Sequence, residues 1–369
     1  MINITALIRS LFISQLSLVL FFSAYVSTHA QSIAGDPFSV WLQDVRQEAK
    51  IRGISDKVIG EALANIRPMR RIIERDRNQA EFKLTLGTYS RRVISQKNIK
   101  IGKNKAKLLA DTLEAVERRF KVQRRFILSI WGIETRFGLV KANIPVIPAV
   151  ATLAFDKRRS KYFRAQVFAV LEMLEKGYID LENLKGSWAG AMGQPQFMPS
   201  SYLAYAADYD GDGKRDIWNN TGDVLASIAN YLSKHGWNNA MTWGRAVSMP
   251  SSMPDFNSKL SRRAAPGCRA RTTKMLSLSE WQALGVRKIN GADLPSRNIA
   301  GALVFPDGAN GSVFITYNNY AAIMAYNCAH HYAVTVGLLS DKIQTQALKE
   351  VIDFIQQDSS RAICQPRDD

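Results

Sequence analysis

The chain has 369 residues, of which 46% are hydrophobic and 22% are charged, and its formal net charge is +17. This composition excludes an intrinsically disordered chain and gives enough length for two or three modules around a hydrophobic core. The strong positive charge predicts an anionic partner. Nucleic acid is not expected, because no cluster of Lys and Arg is interleaved with aromatic residues as in a nucleic-acid groove.

The first 30 residues have the pattern of a secretory signal peptide. Arg9 precedes an apolar run from Leu11 to Val26, and residues 28–30 (Thr-His-Ala) end in a small residue suited to cleavage. An uncleaved anchor is the alternative, because the run is only slightly shorter than a membrane span. Removing residues 1–30 takes away Arg9 and no acidic residue, so the net charge falls from +17 to +16. We expect an exported, periplasmic protein with no transmembrane anchor after cleavage.

Apolar residues at helical spacing predict α-helices along most of 37–180. The first pattern begins at Phe38, Gly53 stops it, and Ser55 is placed to cap the next helix. Further helices are predicted at 79–97, 104–121, 124–135, 161–177, 199–207 and 223–235.

The helical period disappears between about 237 and 317. Two strand-like runs, 302–305 and 312–317, lie on either side of the turn sequence D-G-A-N-G at 307–311, which predicts a β-hairpin. A helix over 320–339 and a final amphipathic helix over 344–356 are predicted to follow.

The segment 130–138, I-W-G-I-E-T-R-F-G, places one carboxylate at the end of an apolar helical run. A carboxyl group held against Ile, Trp and Phe is poorly solvated when charged, so we expect the pKa of Glu134 to rise toward neutrality. Glu134 would then suit a general acid. On this segment alone, a structural ion pair between Glu134 and Arg136 is the more frequent explanation.

A second segment, 185–202, combines small residues with uncharged hydrogen-bonding groups in the sequence K-G-S-W-A-G-A-M-G-Q-P-Q-F-M-P-S-S-Y. Small residues let a backbone approach closely, and the side chains of Ser187 and Gln196 suit a sugar ligand. Taken alone, the segment is slightly more typical of a tight structural turn.

A third segment matches the first half of a calcium-binding loop. Acidic side chains at positions one, three and five and Gly at position six are supplied by Asp208, Asp210, Asp212 and Gly213. Lys214 at position seven would offer its backbone carbonyl. Asp223, which opens the next helix, could replace the usual Glu of position twelve, where this chain has Asn219. The alternative is an Asp-rich turn with Asp223 as a helix N-cap.

The cysteine and histidine pattern excludes some classes of enzyme. Cys268, Cys328 and Cys364 would enter an oxidising compartment, where they allow one disulfide in any of three pairings and leave one thiol. The sequence has neither HExxH nor a Cys pair at zinc spacing, and no G-x-S-x-G motif. A zinc peptidase or a serine hydrolase is therefore not expected.

Together, the segments around Glu134, 185–202, D-x-D-G-D-G and Tyr326-Asn327 resemble the lytic murein transglycosylase B family. The resemblance runs from about Phe38 through Leu339. It implies a mainly α (α+β) fold, with a lysozyme-like catalytic core, an N-terminal α-helical domain and a small β-rich insertion. The implied division is a helical region at 31–122, the core with an EF-hand-like loop at 123–236, the β-rich domain at 237–318, a helix completing the core at 319–340, and a C-terminal helix and tail at 341–369.

The resemblance also implies the site and its ligands. The family's catalytic acid falls on Glu134, and its substrate-contacting positions fall on Tyr89, Ser187, Gln196, Tyr231, Tyr326, Asn327 and Tyr332. A structural Ca²⁺ would be held by Asp208, Asp210, Asp212, Lys214 and Asp223, and no cofactor would take part in catalysis. The partner would be the glycan strands of peptidoglycan, and any cell-wall assembly partners are unknown.

Three features depart from the family pattern. Gln194-Pro195 replaces the aromatic residue and Gly of many members, which would alter saccharide contacts beside Gln196. The acidic loop is one residue longer before Asp223, and the lipid-attachment Cys of membrane-bound members is absent, as is any recognisable C-terminal peptidoglycan-binding repeat.

The expected reaction is cleavage of the MurNAc-β-1,4-GlcNAc bond with formation of 1,6-anhydroMurNAc. A glycosidase that uses water or a covalent intermediate needs a second carboxylate, about 5 to 9.5 Å from the first. Between Glu182 and Asp208 the sequence has no acidic residue, so no candidate nucleophile stands out and the substrate would supply its own. A hydrolytic muramidase and a non-catalytic peptidoglycan-binding protein remain the alternatives.

Overall fold

A computed structural model describes residues 36–78, 84–250, 260–308 and 311–344. The predicted signal peptide, Cys364 and nearly all of the predicted helix at 344–356 lie outside these residues. The described residues form two compact units, which divide between Pro68 and Met69. The domain boundaries implied by the family resemblance stay a prediction.

The first unit contains two helices, Pro37–Ile51 and Asp56–Ala62. As predicted, the first helix ends before Gly53, which has a φ of 82°, and the Ser55 side chain accepts a hydrogen bond from the Val58 N–H to cap the second. A side-chain oxygen at this position satisfies one of the donors that the first helical turn leaves unpaired.

The second unit is mostly helical. Its helices are Arg70–Arg77, Leu86–Val93, Gln96–Leu108, Ala110–Phe120, Arg124–Thr135, Val146–Phe155, Ser160–Glu175, Pro199–Tyr205, Thr221–Lys234, Leu278–Ala283, Asn318–Tyr326 and a helix over 330–344.

Two predicted helices are wrong in extent because each is broken. The helix predicted at 104–121 is split at Leu109, and the one predicted at 320–339 is split at 327–329. Within the predicted helix at 79–97, the described part contains Leu86–Val93, after which Ser95 caps a new helix. Ser95 caps the helix that follows it, whereas no side-chain hydrogen bond caps the helix that begins after Leu109.

The helix Arg124–Thr135, called the Glu134 helix below, lies at the centre of the second unit. Residues 126–132 are all buried, so this helix is covered on every side. It contacts Thr221–Lys234, and the Ser129 hydroxyl donates to the carbonyl oxygen of Val336 at 2.7 Å, which joins it to the helix over 330–344. A buried helix with few exposed faces provides a rigid support for a functional side chain at its end.

The predicted hairpin is confirmed as the strands Ala300–Val304 and Val313–Thr316, which pair antiparallel with Ala302 opposite Thr316. They belong to a five-stranded antiparallel sheet with the spatial order Leu276–Ser277, Ala300–Val304, Val313–Thr316, Gly244–Ser248 and Arg287–Lys288. Short strand pairs also join Ile144–Pro145 to Lys185–Gly186 and Arg262–Arg263 to Arg271–Thr272.

A disulfide links Cys268 to Cys328, with a Cα–Cα distance of 5.5 Å. It joins the turn after strand Arg262–Arg263 to the break at 327–329. A second contact lies close to the disulfide, because the His330 Nε2 at the start of the next helix lies 3.0 Å from the carbonyl oxygen of Arg271 in the next strand. The disulfide therefore fixes the connection that carries Asn327 and precedes Tyr332.

Candidate active site

Glu134 lies in the last turn of its helix, which ends in a sharp reversal. Arg136, Phe137 and Gly138 all adopt left-handed backbone conformations, with φ values of 50°, 60° and 81°. Such a run is uncommon for residues other than Gly. It turns the Phe137 ring back onto Gly132, where a Cβ atom would lie 2.6 Å from the ring. The W-G-I-E-T-R-F-G sequence therefore specifies the fold of the segment that presents Glu134.

Glu134 accepts a hydrogen bond from Tyr332. The Tyr332 hydroxyl donates to Glu134 Oε1 at 2.7 Å, and the tyrosine side chain is 2% exposed. Burial raises the pKa of Tyr332 well above its usual value, and the charge of Glu134 raises it further. Burial also raises the pKa of Tyr326, and the charge of Glu134 raises it further. Both phenols therefore stay protonated at neutral pH, and Tyr332 can act only as a donor toward the carboxylate.

Tyr326 and Tyr231 extend this site on the side of Tyr332. The Tyr326 ring lies nearly parallel to that of Tyr332, at 6.4 Å between centroids and 10° between planes. Its hydroxyl donates to the Pro195 carbonyl oxygen at 2.7 Å, and its ring lies 4.7 Å from that of Tyr231. Phe197 completes the cluster at 5.8 Å from Tyr326. The loop that carries Gln196 is thereby fixed beside the residues that contact Glu134.

The side chains of Ser187 and Gln196 form hydrogen bonds with backbone groups of their own loop. The Ser187 Oγ accepts a hydrogen bond from the Ala191 N–H at 3.1 Å, and Gln196 Nε2 donates to the Gly193 carbonyl oxygen at 2.8 Å. Gln196 has a φ of 55°, in the left-handed region. The small residues of 185–202 thus form the tight turn that was the alternative interpretation. Contact between these two side chains and a sugar stays a prediction.

Gln194 is a structural residue of the site that the sequence analysis assigned differently. Trp131 Nε1 donates to Gln194 Oε1 at 2.8 Å, and Gln194 Nε2 donates to the Trp218 carbonyl oxygen at 2.8 Å. The Thr135 hydroxyl donates to the Gln194 carbonyl oxygen at 3.0 Å. A Cβ atom at Gly138 would lie 2.4 Å from Gln194 Oε1, so only Gly leaves room for this side chain. The sequence signal for Gln194 was its departure from the family pattern. In the structure, its side-chain amide joins the Glu134 helix to the end of the acidic loop.

Tyr89 and Asn327 lie at the edge of this group. The Tyr89 ring is 6.2 Å from that of His331, the neighbour of Tyr332. Asn327 is exposed in the connection after Tyr326. The structure therefore places Tyr332 and Tyr326 beside Glu134 and packs Tyr231 against Tyr326. Tyr89 is linked to this group through His331, and Gln196 lies in the loop that Tyr326 binds at Pro195.

The carboxylates of Asp208, Asp210 and Asp212 form a cluster in which one oxygen from each lies within 4.8 Å of the others. The loop's own N–H groups hold them. Asp208 accepts from Gly211 at 2.6 Å and from Gly213 at 2.9 Å. Calcium ligands lie about 2.3 to 2.6 Å from the ion, so three oxygens at this spacing fit around one Ca²⁺. Lys214 follows the cluster, and its N–H donates to Asp212 Oδ1 at 2.8 Å.

Asp223 has a different position from the predicted one. It is fully buried, and its two oxygens accept hydrogen bonds from the N–H groups of Tyr209 and Asp216, at 2.8 and 2.7 Å. It therefore does not join the three-carboxylate cluster but holds the two ends of the loop together. The helix N-cap is Asn220 rather than Asp223. Asp216, which the sequence analysis missed, stands at position nine of the calcium-loop pattern counted from Asp208.

The comparisons with known proteins place this site in a family. The transglycosylase SLT domain matches residues 37–341, which is most of the chain. The chain belongs to this family. The membrane-bound lytic murein transglycosylase B of Escherichia coli K12 is 32% identical over 261 residues, which are 69% of this chain and 66% of that protein. The match therefore spans just under two thirds of that relative's length.

Solved structures of other lytic transglycosylases share the fold. SltB3 of Pseudomonas aeruginosa, in complex with NAG-anhNAM-pentapeptide, is 36% identical with a TM-score of 0.75, covering 84% of this chain and 80% of SltB3. Slt35 of Escherichia coli, in complex with calcium, is 28% identical with a TM-score of 0.68, covering 87% of this chain and 96% of Slt35.

These comparisons confirm the resemblance to lytic transglycosylases and the mainly α fold with a lysozyme-like core and β-rich part. At the level of the family, they also confirm the predicted class of enzyme. In the described ranges, no helix combines the length and apolar character needed to cross a membrane.

Proposed function

We propose that this protein is an exported lytic transglycosylase that cleaves the MurNAc-β-1,4-GlcNAc bond of peptidoglycan and leaves 1,6-anhydroMurNAc ends. The observation that carries the proposal is the carboxyl group of Glu134, held by the Tyr332 hydroxyl at 2.7 Å at the end of a buried helix. The NAG-anhNAM-pentapeptide bound in the SltB3 complex contains the anhydro sugar of this reaction and supports the proposal.

The first step is protonation of the leaving oxygen by Glu134. Because Tyr332 donates to Oε1, the proton of the acid form sits on Oε2. Its transfer to the glycosidic oxygen breaks the bond to the MurNAc anomeric carbon and releases the GlcNAc hydroxyl. The substrate's own N-acetyl oxygen then forms a bond to that carbon. Glu134 is left as a carboxylate, which the Tyr332 O–H stabilises.

The second step returns the proton to Glu134. The carboxylate accepts the proton of the MurNAc C6 hydroxyl, and O6 attacks the anomeric carbon and displaces the N-acetyl oxygen. No water is consumed. An attacking group on the same sugar has a high effective molarity, so this route needs no positioned water. The three loop aspartates are not candidates for a nucleophile, because they cluster with one another and accept hydrogen bonds from their own loop.

Tyr89, Ser187, Gln196, Tyr231, Tyr326 and Asn327 would line the substrate's path around this centre. Export to the periplasm is part of the proposal and rests on the pattern of residues 1–30. The net charge of +16 left after cleavage would then favour adsorption to a wall that carries carboxylates.

A structural Ca²⁺ at the acidic loop is a separate part of the proposal. Asp208, Asp210 and Asp212 would hold it, with the carbonyl of Lys214 as a further ligand. The ion would neutralise three crowded negative charges and has no part in the chemical steps. The calcium complex of Slt35 supports this assignment.

Product analysis tests the proposal. Purified protein incubated with sacculi should release fragments that are lighter than hydrolytic products by one water and that resist borohydride reduction. Predominantly reducible MurNAc ends would favour the hydrolytic muramidase. Binding to sacculi without any released fragment would favour the non-catalytic alternative.

A further inference from the structure

Asp307 joins two segments that lie far from it in sequence. It belongs to the connection between strands Ala300–Val304 and Val313–Thr316. Both of its carboxylate oxygens accept from the N–H of Leu86, at 2.8 and 3.0 Å, although the two residues are 221 positions apart. Leu86 is the first residue of the helix that carries Tyr89. Asp307 therefore caps that helix from outside, and its negative charge is favourable at a helix N-terminus.

The same carboxylate also contacts the segment that carries Tyr332. His331 Nε2 lies 2.8 Å from Asp307 Oδ1, and the two side chains are 21% and 23% exposed. His331 directly precedes Tyr332, whose hydroxyl donates to Glu134. The His331 ring also lies 6.2 Å from that of Tyr89. One carboxylate thus connects the starts of the two helices that carry Tyr89 and Tyr332.

We propose that Asp307 and His331 are positioning residues of the active site, which hold the Tyr89 helix and the start of the Tyr332 helix at a fixed separation. The inference rests on the proposed function. Neither residue needs to touch the substrate. Their effect on turnover passes through Tyr332, because displacing this phenol weakens the hydrogen bond that fixes Glu134. Displacement of a catalytic group by about 1 Å can lower a rate by about a hundredfold, so even a partial shift is measurable.

The test is a double-mutant cycle that combines Asp307→Ala with Tyr332→Phe, with kcat and KM measured on soluble glycan strands. We expect Asp307→Ala to lower kcat about tenfold and to leave KM within about twofold, because a shifted phenol affects the chemical step more than binding. Asp307→Asn should recover most of the loss, since its amide oxygen still accepts from Leu86 and His331. In a Tyr332→Phe background, Asp307→Ala should cost less than about twofold, because the hydroxyl through which it acts is gone.

The matched control is Asp293→Ala. Asp293 is another loop aspartate of the β-rich part, 70% exposed and paired with Arg287 at 3.3 Å. Its replacement should leave kcat unchanged. His331→Ala should reproduce the loss of kcat, and His331→Gln, whose amide N–H can still donate to Asp307, should restore it. If Asp307→Ala fails to fold, His331→Ala and His331→Gln can be measured instead, each with and without Tyr332→Phe.

An activity-independent measurement separates this inference from the proposed function. Amide hydrogen exchange in peptides covering 85–93 and 330–336 should be faster in Asp307→Ala than in Asp293→Ala. The inference is overturned if Asp307→Ala and Asp293→Ala have equal kcat and equal exchange, or if the full loss of kcat persists in the Tyr332→Phe background. Reducible MurNAc ends from the wild-type protein would instead overturn the proposed reaction and leave the cycle interpretable.

Discussion

Glu134 receives its hydrogen bond from Tyr332, which lies 198 positions further along the chain. Asp208 receives its hydrogen bonds from Gly211 and Gly213, three and five positions away. The geometry around Glu134 therefore depends on the packing of distant elements, whereas the carboxylates of the acidic cluster are held by backbone N–H groups of their own loop. A change in the packing of the core should alter the first region and spare the second.

Gln194 is the residue that physically joins the two regions. It contacts Trp131 and Thr135 of the Glu134 helix and also the backbone of 217–218, where the acidic loop ends. The difference between the regions is thus one of degree, and four variants or conditions can measure how far they are independent.

Replacing Glu134 by Gln should give the largest effect. The amide has nearly the shape of the acid but cannot deliver a proton, so we expect kcat to fall by about a thousandfold or more, with little change in Tm. Glu172→Gln is the control, because Glu172 forms an exposed pair with Lys176. Kinetics and thermal unfolding on the same preparations check both. A folded Glu134→Gln protein with near wild-type turnover would rule out its role as the acid.

Replacing Gln194 by Ala should chiefly reduce stability. The Trp131 N–H and the Trp218 carbonyl oxygen would each lose a partner, and an unsatisfied group in a partly buried site costs about 1 to 3 kcal/mol. We expect the free energy of unfolding to fall by about 2 to 3 kcal/mol in denaturant titrations. The control, Gln96→Ala, changes an exposed residue and should stay within about 0.5 kcal/mol of wild type. Equal stabilities of the two variants would show that Gln194 does not join the regions energetically.

Replacing Tyr332 by Phe should lower kcat by about tenfold to a hundredfold. The variant removes one hydrogen bond to a charged group, worth about 1.5 to 3 kcal/mol, and leaves the ring in place. Tyr202→Phe is the control, since the Tyr202 hydroxyl donates to the Arg215 carbonyl oxygen and not to Glu134. If both variants have wild-type kcat, the hydrogen bond seen in the structure does not contribute to the rate.

The Glu134 site and the acidic loop also show how much of the structure the sequence could predict. Local patterns were sufficient for the acidic cluster, for the hairpin around 307–311 and for the cap at Ser55, because each depends on residues a few positions apart. The helix Val146–Phe155 was missed because it is buried almost all round and shows no apolar stripe. The helix Leu278–Ala283 had a readable signal, the capping box of Ser277 and Glu280, in a region where the helical period was absent.

Most of the site around Glu134 could not be derived from spacing. Tyr332, Tyr326 and Tyr89 were proposed through family resemblance, and nothing in the local sequence connects them with Glu134. Gln194 and Asp307 act through partners 24 to 221 positions away. Such contacts follow from the packed fold, in which a side chain's role is set by what the tertiary structure brings to it.

Calcium should give the smallest effect, and it tests the independence of the acidic loop most directly. Calcium binding to the native state adds RT ln(1 + [Ca²⁺]/Kd), which is about 1.4 kcal/mol at ten times Kd, or about 2 °C in Tm for a chain of this length. Asp210→Asn removes one of three crowded charges, so it should raise Tm slightly without calcium and abolish most of the shift with it. The control, Asp180→Asn, changes an exposed aspartate outside the cluster and should keep the full shift. Glu134→Gln should keep it as well, because the loop does not depend on the catalytic carboxylate. If saturating calcium leaves Tm unchanged and calorimetry detects no heat, the loop binds no calcium and is held by its hydrogen bonds alone.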